Sequence, residues 1–266
     1  MCHIRAWHLY LLLLLRLSSI KNALTSIFLS IVIPAHNEEK RLPRTLEQVF
    51  AFLDQQDFSA EVVVVENGSS DRTLEIAQGF AARHPQLRVL QNEERGKGLA
   101  VRRGMLEARG QYRFICDADL SMPIQEIVKF IPPVLADFDI AIGSREAKGA
   151  LRFNEPPYRH WGGRAINLAI RLLILPGLQD TQCGFKCFSA EASDKLFKLQ
   201  TLPGWSFDIE LLYLARRAKM RIREIPIHWY FDADSKVKAV RDALNMLKDV
   251  FRIHRNARRG QYDPHP

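Results

Sequence analysis

The sequence predicts an α/β fold, a mostly parallel sheet with helices on both faces. Three observations predict it. Short apolar runs alternate with helix-period segments from Phe28 to about residue 145, the signature of strand–helix–strand units. Runs such as Val62–Val65 are continuously apolar, as strands buried on both faces are. Each run also closes on polar residues, at the edge where open parallel sheets collect ligands. With 266 residues, 47% of them apolar, the chain can build one large domain around a substantial core.

Taken in order, Phe28–Ile33 is the first strand, ending at Pro34. Leu42, Leu46, Val49, Phe50 and Leu53 then recur at helical spacing. Glu61–Val65 is the second strand, closed by Glu66-Asn67-Gly68-Ser69-Ser70-Asp71, where Gly68 eases a tight turn and Ser70 or Asp71 can cap the next helix. Leu87–Leu90 is the third strand, Lys97–Ala108 a helix rich in small residues, and Tyr112–Cys116 the fourth strand. Phe138–Ile142 is the fifth, ending at Gly143-Ser144-Arg145.

After residue 145 the pattern changes. Lys148–Tyr158, with Gly149, Pro156 and Pro157, reads as a flexible loop, and Trp161–Leu175 as an apolar helix. Gly184–Phe188 is a short strand and Phe207–Arg217 a helix. Arg223–Trp229 contains Pro226 and reads as an edge strand. Arg241–Arg255 is an amphipathic helix with Leu244, Leu247, Val250 and Phe251 on one side. No repeat or low-complexity linker divides the chain.

The net charge of +8 is unevenly placed. Residues 31–235 carry 27 basic and 27 acidic side chains; residues 1–30 add Arg5, Arg16 and Lys21 with no acid, and residues 236–266 add eight basic against three acidic. Basicity at the two ends, without a basic stripe across the body, argues against nucleic acid as a partner. It fits attraction to an anionic membrane surface, or simply a solvated C-terminal helix. The apolar run Leu9–Leu15 is short of the roughly 20 residues a spanning helix needs, and extending it to Ile33 crosses Arg16 and Lys21. It reads as an interfacial anchor, a secretory signal with a poor cleavage site, or an extension that packs on nothing. Cys2, Cys116, Cys183 and Cys187 form no disulfide framework or zinc spacing, in keeping with reduced thiols in a cytosolic setting.

The residues that point to chemistry sit at predicted strand ends. Asp117-Ala118-Asp119 follows the fourth strand. Side chains two positions apart face alike on a strand, so the two carboxylates can jointly hold a hard divalent cation and leave its other positions to phosphate oxygens. The first strand offers Pro34, Ala35, His36, Asn37 and Glu38; the second Glu66, Asn67 and Asp71; the fifth Ser144 and Arg145. Taken singly, each is an ordinary cap or turn residue; together they mark one edge of a sheet. Gly96-Lys97-Gly98 has neither P-loop nor dinucleotide-fingerprint spacing. Its glycines serve close helix packing, or its backbone and Lys97 approach a phosphate.

Ile33-Pro34-Ala35-His36-Asn37-Glu38-Glu39, Glu66-Asn67-Gly68-Ser69-Ser70-Asp71, Gly96-Lys97-Gly98, Asp117-Ala118-Asp119 and Gly143-Ser144-Arg145, in this order and spacing, resemble the family 2 inverting glycosyltransferases of GT-A, Rossmann-like fold. Asp180-Thr181-Gln182-Cys183-Gly184-Phe185-Lys186 and Trp205-Ser206-Phe207-Asp208-Ile209-Glu210-Leu211-Leu212 resemble the dolichyl-phosphate β-glucosyltransferases and prokaryotic polyprenyl-phosphate relatives within that family. The likeness covers residues 28–255. It implies a nucleotide-sugar half (28–145) and an acceptor half (146–255), between an N-terminal extension (1–27), a possible anchor, and a basic tail (256–266).

The resemblance also implies roles. Pro34–Glu38, Glu66, Asn67, Lys97 and Ala118 would border the nucleotide sugar, and Asp117 and Asp119 would hold Mg2+ or Mn2+ on its diphosphate. Where the family more often has two aspartates, Glu66 keeps an acidic acceptor and Asn67 loses a charge. Arg145 would lie near the phosphates, and Asp180 would be an acceptor-side carboxylate that orients the acceptor, takes its residual proton or steadies developing positive charge. Arg145, Arg159, Arg164 and Lys236 would meet the acceptor phosphate. The implied reaction is metal-dependent inverting transfer of a hexose, glucose from UDP-glucose, to a polyprenyl monophosphate at the cytoplasmic face of a membrane. Alternatives are the same fold with GDP-mannose or another nucleotide sugar, a soluble acceptor, a nucleotidyltransferase, or a non-catalytic membrane-surface adaptor.

Overall fold

The computed structural model describes residues 26–156, 164, 167, 168, 170–232 and 239–263. Its seven-stranded sheet runs β3 (Leu87–Gln91), β2 (Ala60–Glu66), β1 (Leu29–Ala35), β4 (Tyr112–Ile115), β7 (Lys186–Ser189), β5 (Ile140–Ser144), β8 (Ile222–Pro226). β1, β2, β3 and β4 are parallel, with β1 between β2 and β4. β5 pairs in parallel with the edge strand β8.

The continuous apolar runs are explained by burial on both faces. Ile31, Ile33, Val62 and Val64 join one core layer, while Val32, Val63 and Val65 join the other, as the two-residue period of a strand requires. The first layer packs α1 (Leu42–Leu53) through Leu42, Leu46 and Val49. The second packs α3 (Lys97–Glu107), α4 (Ala190–Leu199), α5 (Phe207–Arg217) and the inner stripe of α6 (Ala239–Arg258). α2 (Thr73–Ala81) links β2 to β3, with Ala77 and Phe80 in the first layer.

β7 lies antiparallel between β4 and β5, with Lys186 opposite both Ile115 and Ile142. Because β7 runs the other way, the residues that precede it, Asp180–Phe185, arrive at the carboxyl ends of β4 and β5. This single reversed strand brings the second half of the chain to the functional edge.

Several expectations are corrected. The segment read as a loop over Lys148–Tyr158 contains β6 (Leu151–Phe153), paired in parallel with β9 (His228–Tyr230); a partner so distant in sequence leaves no local signature. The edge strand Arg223–Trp229 is two strands, β8 and β9, in different sheets. α4 and a 3-10 helix at Ile124–Phe130 were not foreseen, although Ser189 caps α4 through the Ala192 N–H. Pro34 and Ala35 belong to β1, so its polar loop begins at His36. On α6, Val250 and Ile253 are buried while Leu244 and Phe251 are exposed; Val250 and Phe251 are adjacent and lie about 100° apart on a helix. Of the helix expected over Trp161–Leu175, the described residues 164, 167, 168 and 170–173 are helical, and residues 161–163 lie outside the described residues.

Candidate active site

β1, β2 and β3 are laid down to one side and β4 to the other, so the order reverses between β1 and β4. Open α/β sheets bind ligands at such a switch point. Here it is flanked by His36 after β1 and Asp117 after β4.

On the β1 side, three loops are tied together. His36 Nδ1 lies 2.9 Å from the Asn67 carbonyl oxygen, and its Nε2 lies 2.6 Å from an Arg95 guanidinium nitrogen. Asn67 Oδ1 accepts from the Gly96 N–H, and Asn37, at φ 53°, accepts from the Ser70 N–H through Oδ1. Neither Ser70 nor Asp71 is the N-cap of α2, which is Arg72 without a side-chain cap bond, but Asp71 accepts from the Thr73 N–H that opens the helix. Two predicted nucleotide contacts have partners within the chain. Glu38 is paired through both oxygens with Arg41, which also reaches Asp232 at 2.6 Å. Glu66 is buried and accepts from the Ser69 N–H within its own turn.

At β4, the Lys97 ammonium lies 2.6 Å from Asp117 Oδ1 and 4.6 Å from the centre of the Trp205 ring. Burial opposes the charge on Lys97, but Asp117, with Asp208 and Asp119 behind it, keeps its pKa raised. Burial, and then the charge of Asp117, push the Asp119 carboxyl up, against the Ser121 N–H that it accepts. One cation therefore faces two carboxylates, with Asp208 near. Ala118 is buried between them, its carbonyl accepting from the Thr45 hydroxyl. Gly184 packs on this cluster, and a methyl group there would overlap the Asp117 carboxylate.

Across the cleft, Arg145 and Asp180 form a two-pronged ion pair, Nε–Oδ2 at 2.6 Å and Nη2–Oδ1 at 2.9 Å, and the Arg145 N–H adds a third bond. Arg145 also lies over the Trp229 ring. Asp180 is fully buried. Burial pushes its carboxyl up, but the charge and hydrogen bonds of Arg145 outweigh this and hold it at about 2. A carboxylate so engaged is a poor proton acceptor. The geometry suits Asp180 to hold Arg145. Arg164 is half-exposed, 3.7 Å from Glu146, and Arg159 and Lys236 lie outside the described residues.

Three buried charges had no role assigned from sequence. Lys186 is 1% exposed, 2.8 Å from Asp208, and bonded to the Cys183 carbonyl. Burial pushes Asp208 up, only partly offset by Lys186. Glu210 accepts from the Thr201 N–H and hydroxyl, the Leu202 N–H and the Tyr262 hydroxyl. The segment it anchors receives the Gly98 N–H on the Pro203 carbonyl at 2.9 Å, and so supports the start of α3 that carries Lys97. The available signal was two acids, Asp208 and Glu210, inside the apolar stretch Phe207–Leu212. Among the described residues no three His, Cys, Asp or Glu side chains converge as a self-sufficient metal site, and no helix is long and apolar enough to cross a membrane.

Comparison with known proteins adds an independent line. The family model described as "Glycosyl transferase family 2" matches residues 30–197. A dolichyl-phosphate beta-glucosyltransferase of Drosophila melanogaster is 37% identical over 86% of this chain and 74% of its own. One from Trichomonas vaginalis is 35% identical over 86% and 71%, and the Homo sapiens protein 32% over 85% and 74%. Glucosyl-3-phosphoglycerate synthase of Mycobacterium tuberculosis, solved with Mn2+, UDP-glucose and phosphoglyceric acid, superposes with a TM-score of 0.60 over 86% of this chain and 78% of that one. At 19% identity that likeness is one of fold.

Proposed function

The chain belongs to glycosyl transferase family 2, and from that membership we propose that it transfers glucose from UDP-glucose to a polyprenyl monophosphate, with inversion, at a membrane surface. The observation that carries this reading is the Lys97–Asp117–Asp119 cluster at the switch point of a chain 37% identical to a dolichyl-phosphate beta-glucosyltransferase.

The donor set fits Mg2+ or Mn2+. Two carboxylates stand in the turn just past β4, and Asp119 is held raised by burial and by its neighbour's charge, so a second positive charge beside Lys97 would favour its ionised form. Asp117 and Asp119 would hold the ion, with diphosphate oxygens completing its shell. When bound, it supplies neutralisation of the charge that develops on the departing diphosphate.

The chain's own residues do the rest. Lys97, steadied by Asp117 and Trp205, is aligned to donate to a diphosphate oxygen. His36, Asn37 and Asn67 form the base-and-ribose side, with Glu38 and Glu66 acting through the loops they brace. Asp180 holds Arg145 extended toward phosphate. The nucleophile needs little further help: a phosphate monoester has a second pKa of about 6 and is mostly dianionic at neutral pH. Residues 1–27, with exposed Leu172, Leu244 and Phe251, are proposed to meet the membrane that retains the lipid.

The test is a panel of UDP-glucose, GDP-mannose and UDP-N-acetylglucosamine with a short polyprenyl phosphate, in EDTA and after Mg2+ or Mn2+ is restored. Both glycolipid and released nucleotide are read. The expected result is a β-linked glucolipid and UDP, abolished by EDTA. Transfer only to water or free sugar, or undiminished turnover in EDTA, overturns the proposal.

A further inference from the structure

The described C-terminal segment builds a second basic site away from Lys97, Asp117 and Asp119. α6 ends in a Schellman turn: the Gly260 N–H donates to the Ala257 carbonyl and the Gln261 N–H to the Asn256 carbonyl, with Gly260 at φ 72°. The turn carries Tyr262 back beneath the helix, where its hydroxyl donates to Glu210 at 2.7 Å. Between this returning chain, the last turns of α6 and Thr201 lies a cavity of about 460 Å3. Its lining includes Arg252, Arg255, Arg259, Gln261 and exposed Thr201, with buried Asn256 at its base. The base is rigid, because buried Asn256 donates to Thr201 Oγ1 at 3.1 Å and to the Tyr262 hydroxyl.

Arg252, Arg255 and Arg259 are three and four residues apart and share one helix face. Among the described residues, none of the three has an ion pair or side-chain hydrogen bond. Asp249 stands one turn before Arg252 on α6 without forming an ion pair with it. Asp263 is paired with Arg217, and Glu210 lies behind the base with its oxygens taken by Thr201, Leu202 and Tyr262. The helix dipole places only about half a negative charge at this end, and the Schellman turn already satisfies carbonyls there. Three uncompensated guanidiniums around a concave polar base differ from a solvated basic face, which has no cavity.

We infer that this cavity binds a phosphate-bearing anion. Guanidinium pairs match phosphate oxygens in geometry and charge. The volume lies toward the small end of the roughly 300–1,000 Å3 typical of small-molecule sites. The phosphate can belong to a soluble ester or to a lipid headgroup. The inference does not depend on the transferase reading, because none of these residues belongs to the proposed donor cleft.

The experiment has two arms, both with the full chain in EDTA. Pyrophosphate is titrated calorimetrically, and vesicles of neutral lipid with or without phosphatidic acid are floated. The proteins are wild type, R252Q/R255Q/R259Q, and K195Q/K198Q, which removes exposed lysines from α4. Wild type and the lysine variant should bind at least one probe, and the arginine variant should bind it at least about tenfold more weakly. Binding to pyrophosphate without a vesicle effect assigns a soluble ligand; binding to phosphatidic acid vesicles alone assigns a headgroup. If wild type binds neither probe, or the arginine variant binds as wild type does, the inference is overturned. Should the triple variant fail to fold, R255Q, a single exposed change, should still weaken binding about threefold, and unchanged binding in it overturns the inference.

Discussion

The two halves of the sheet handle charge in opposite ways. In the first, Asp117 and Asp119 stand half-buried just past the end of β4 and Lys97 at the start of α3, so that one cation faces two carboxylates. In the second, Asp180, Lys186, Asp208 and Glu210 are buried, and hydrogen bonds or ion pairs engage each of them. The first arrangement leaves charge to be completed by a ligand. The second uses charge to hold loops and cations in place. The lesson is that acidity in a motif does not by itself mark a reacting group: Asp180 and Asp119 belong to equally suggestive sequences, yet only Asp119 has a charge deficit in its surroundings.

Variants can break this contrast. The largest expected effect is on folding. Lys186→Met leaves Asp208 without its buried partner and should cost about 3–5 kcal/mol in urea denaturation; adding Asp208→Leu should recover most of it. A Lys186→Met protein as stable as wild type would show that the second half does not depend on this pair. Asp119→Asn should do the reverse, lowering turnover about 100- to 1,000-fold while the urea midpoint stays or rises, because the fold disfavours the Asp119 charge. Retained turnover would remove the working role from the first-half cluster.

The pH dependence sharpens the comparison. Asp180 sits at about 2 in the folded chain, against an ordinary value of about 3.9. Because the folded value is the lower one, its stabilisation is complete above about pH 4 and is lost as pH falls from there toward 2. The amount is about 2–3 kcal/mol. Acid unfolding of Asp180→Asn should therefore be flatter through that window, and an unchanged acid limb would contradict a structural Asp180. The smallest effect is expected from Tyr262→Phe, which removes the hydroxyl's hydrogen bonds to Glu210 and from Asn256. It should cost about 1–2 kcal/mol of stability and leave the KM for nucleotide sugar unchanged.

The parallel strands and their polar ends were legible because each is a local pattern: a continuous apolar run, a turn residue, a helical period. Asp117 and Asp119 were legible as two carboxylates just past a strand end, although the turn that holds Asp119 was not. β6 and β9 were not, because each is three residues long and stabilised by a partner far away in the chain. The engagement of Glu38 by Arg41 and of Asp180 by Arg145 was equally hidden. Both carboxylates sit in the motifs expected to face ligand, and only side-chain geometry reveals whom they meet.

By itself, then, the order of residues determined the layered sheet and the edge on which chemistry collects, since hydrophobic period and turn chemistry act over a few residues. Tertiary structure decided which charges remain available. Inserting β7 in reverse brought Asp180 and Gly184 to the ends of β4 and β5, and folding α6 back through Tyr262 fixed Glu210 beneath the Thr201–Pro203 segment. A charge's role depends on its partners and its distance from water, and those are set by chain segments many residues apart.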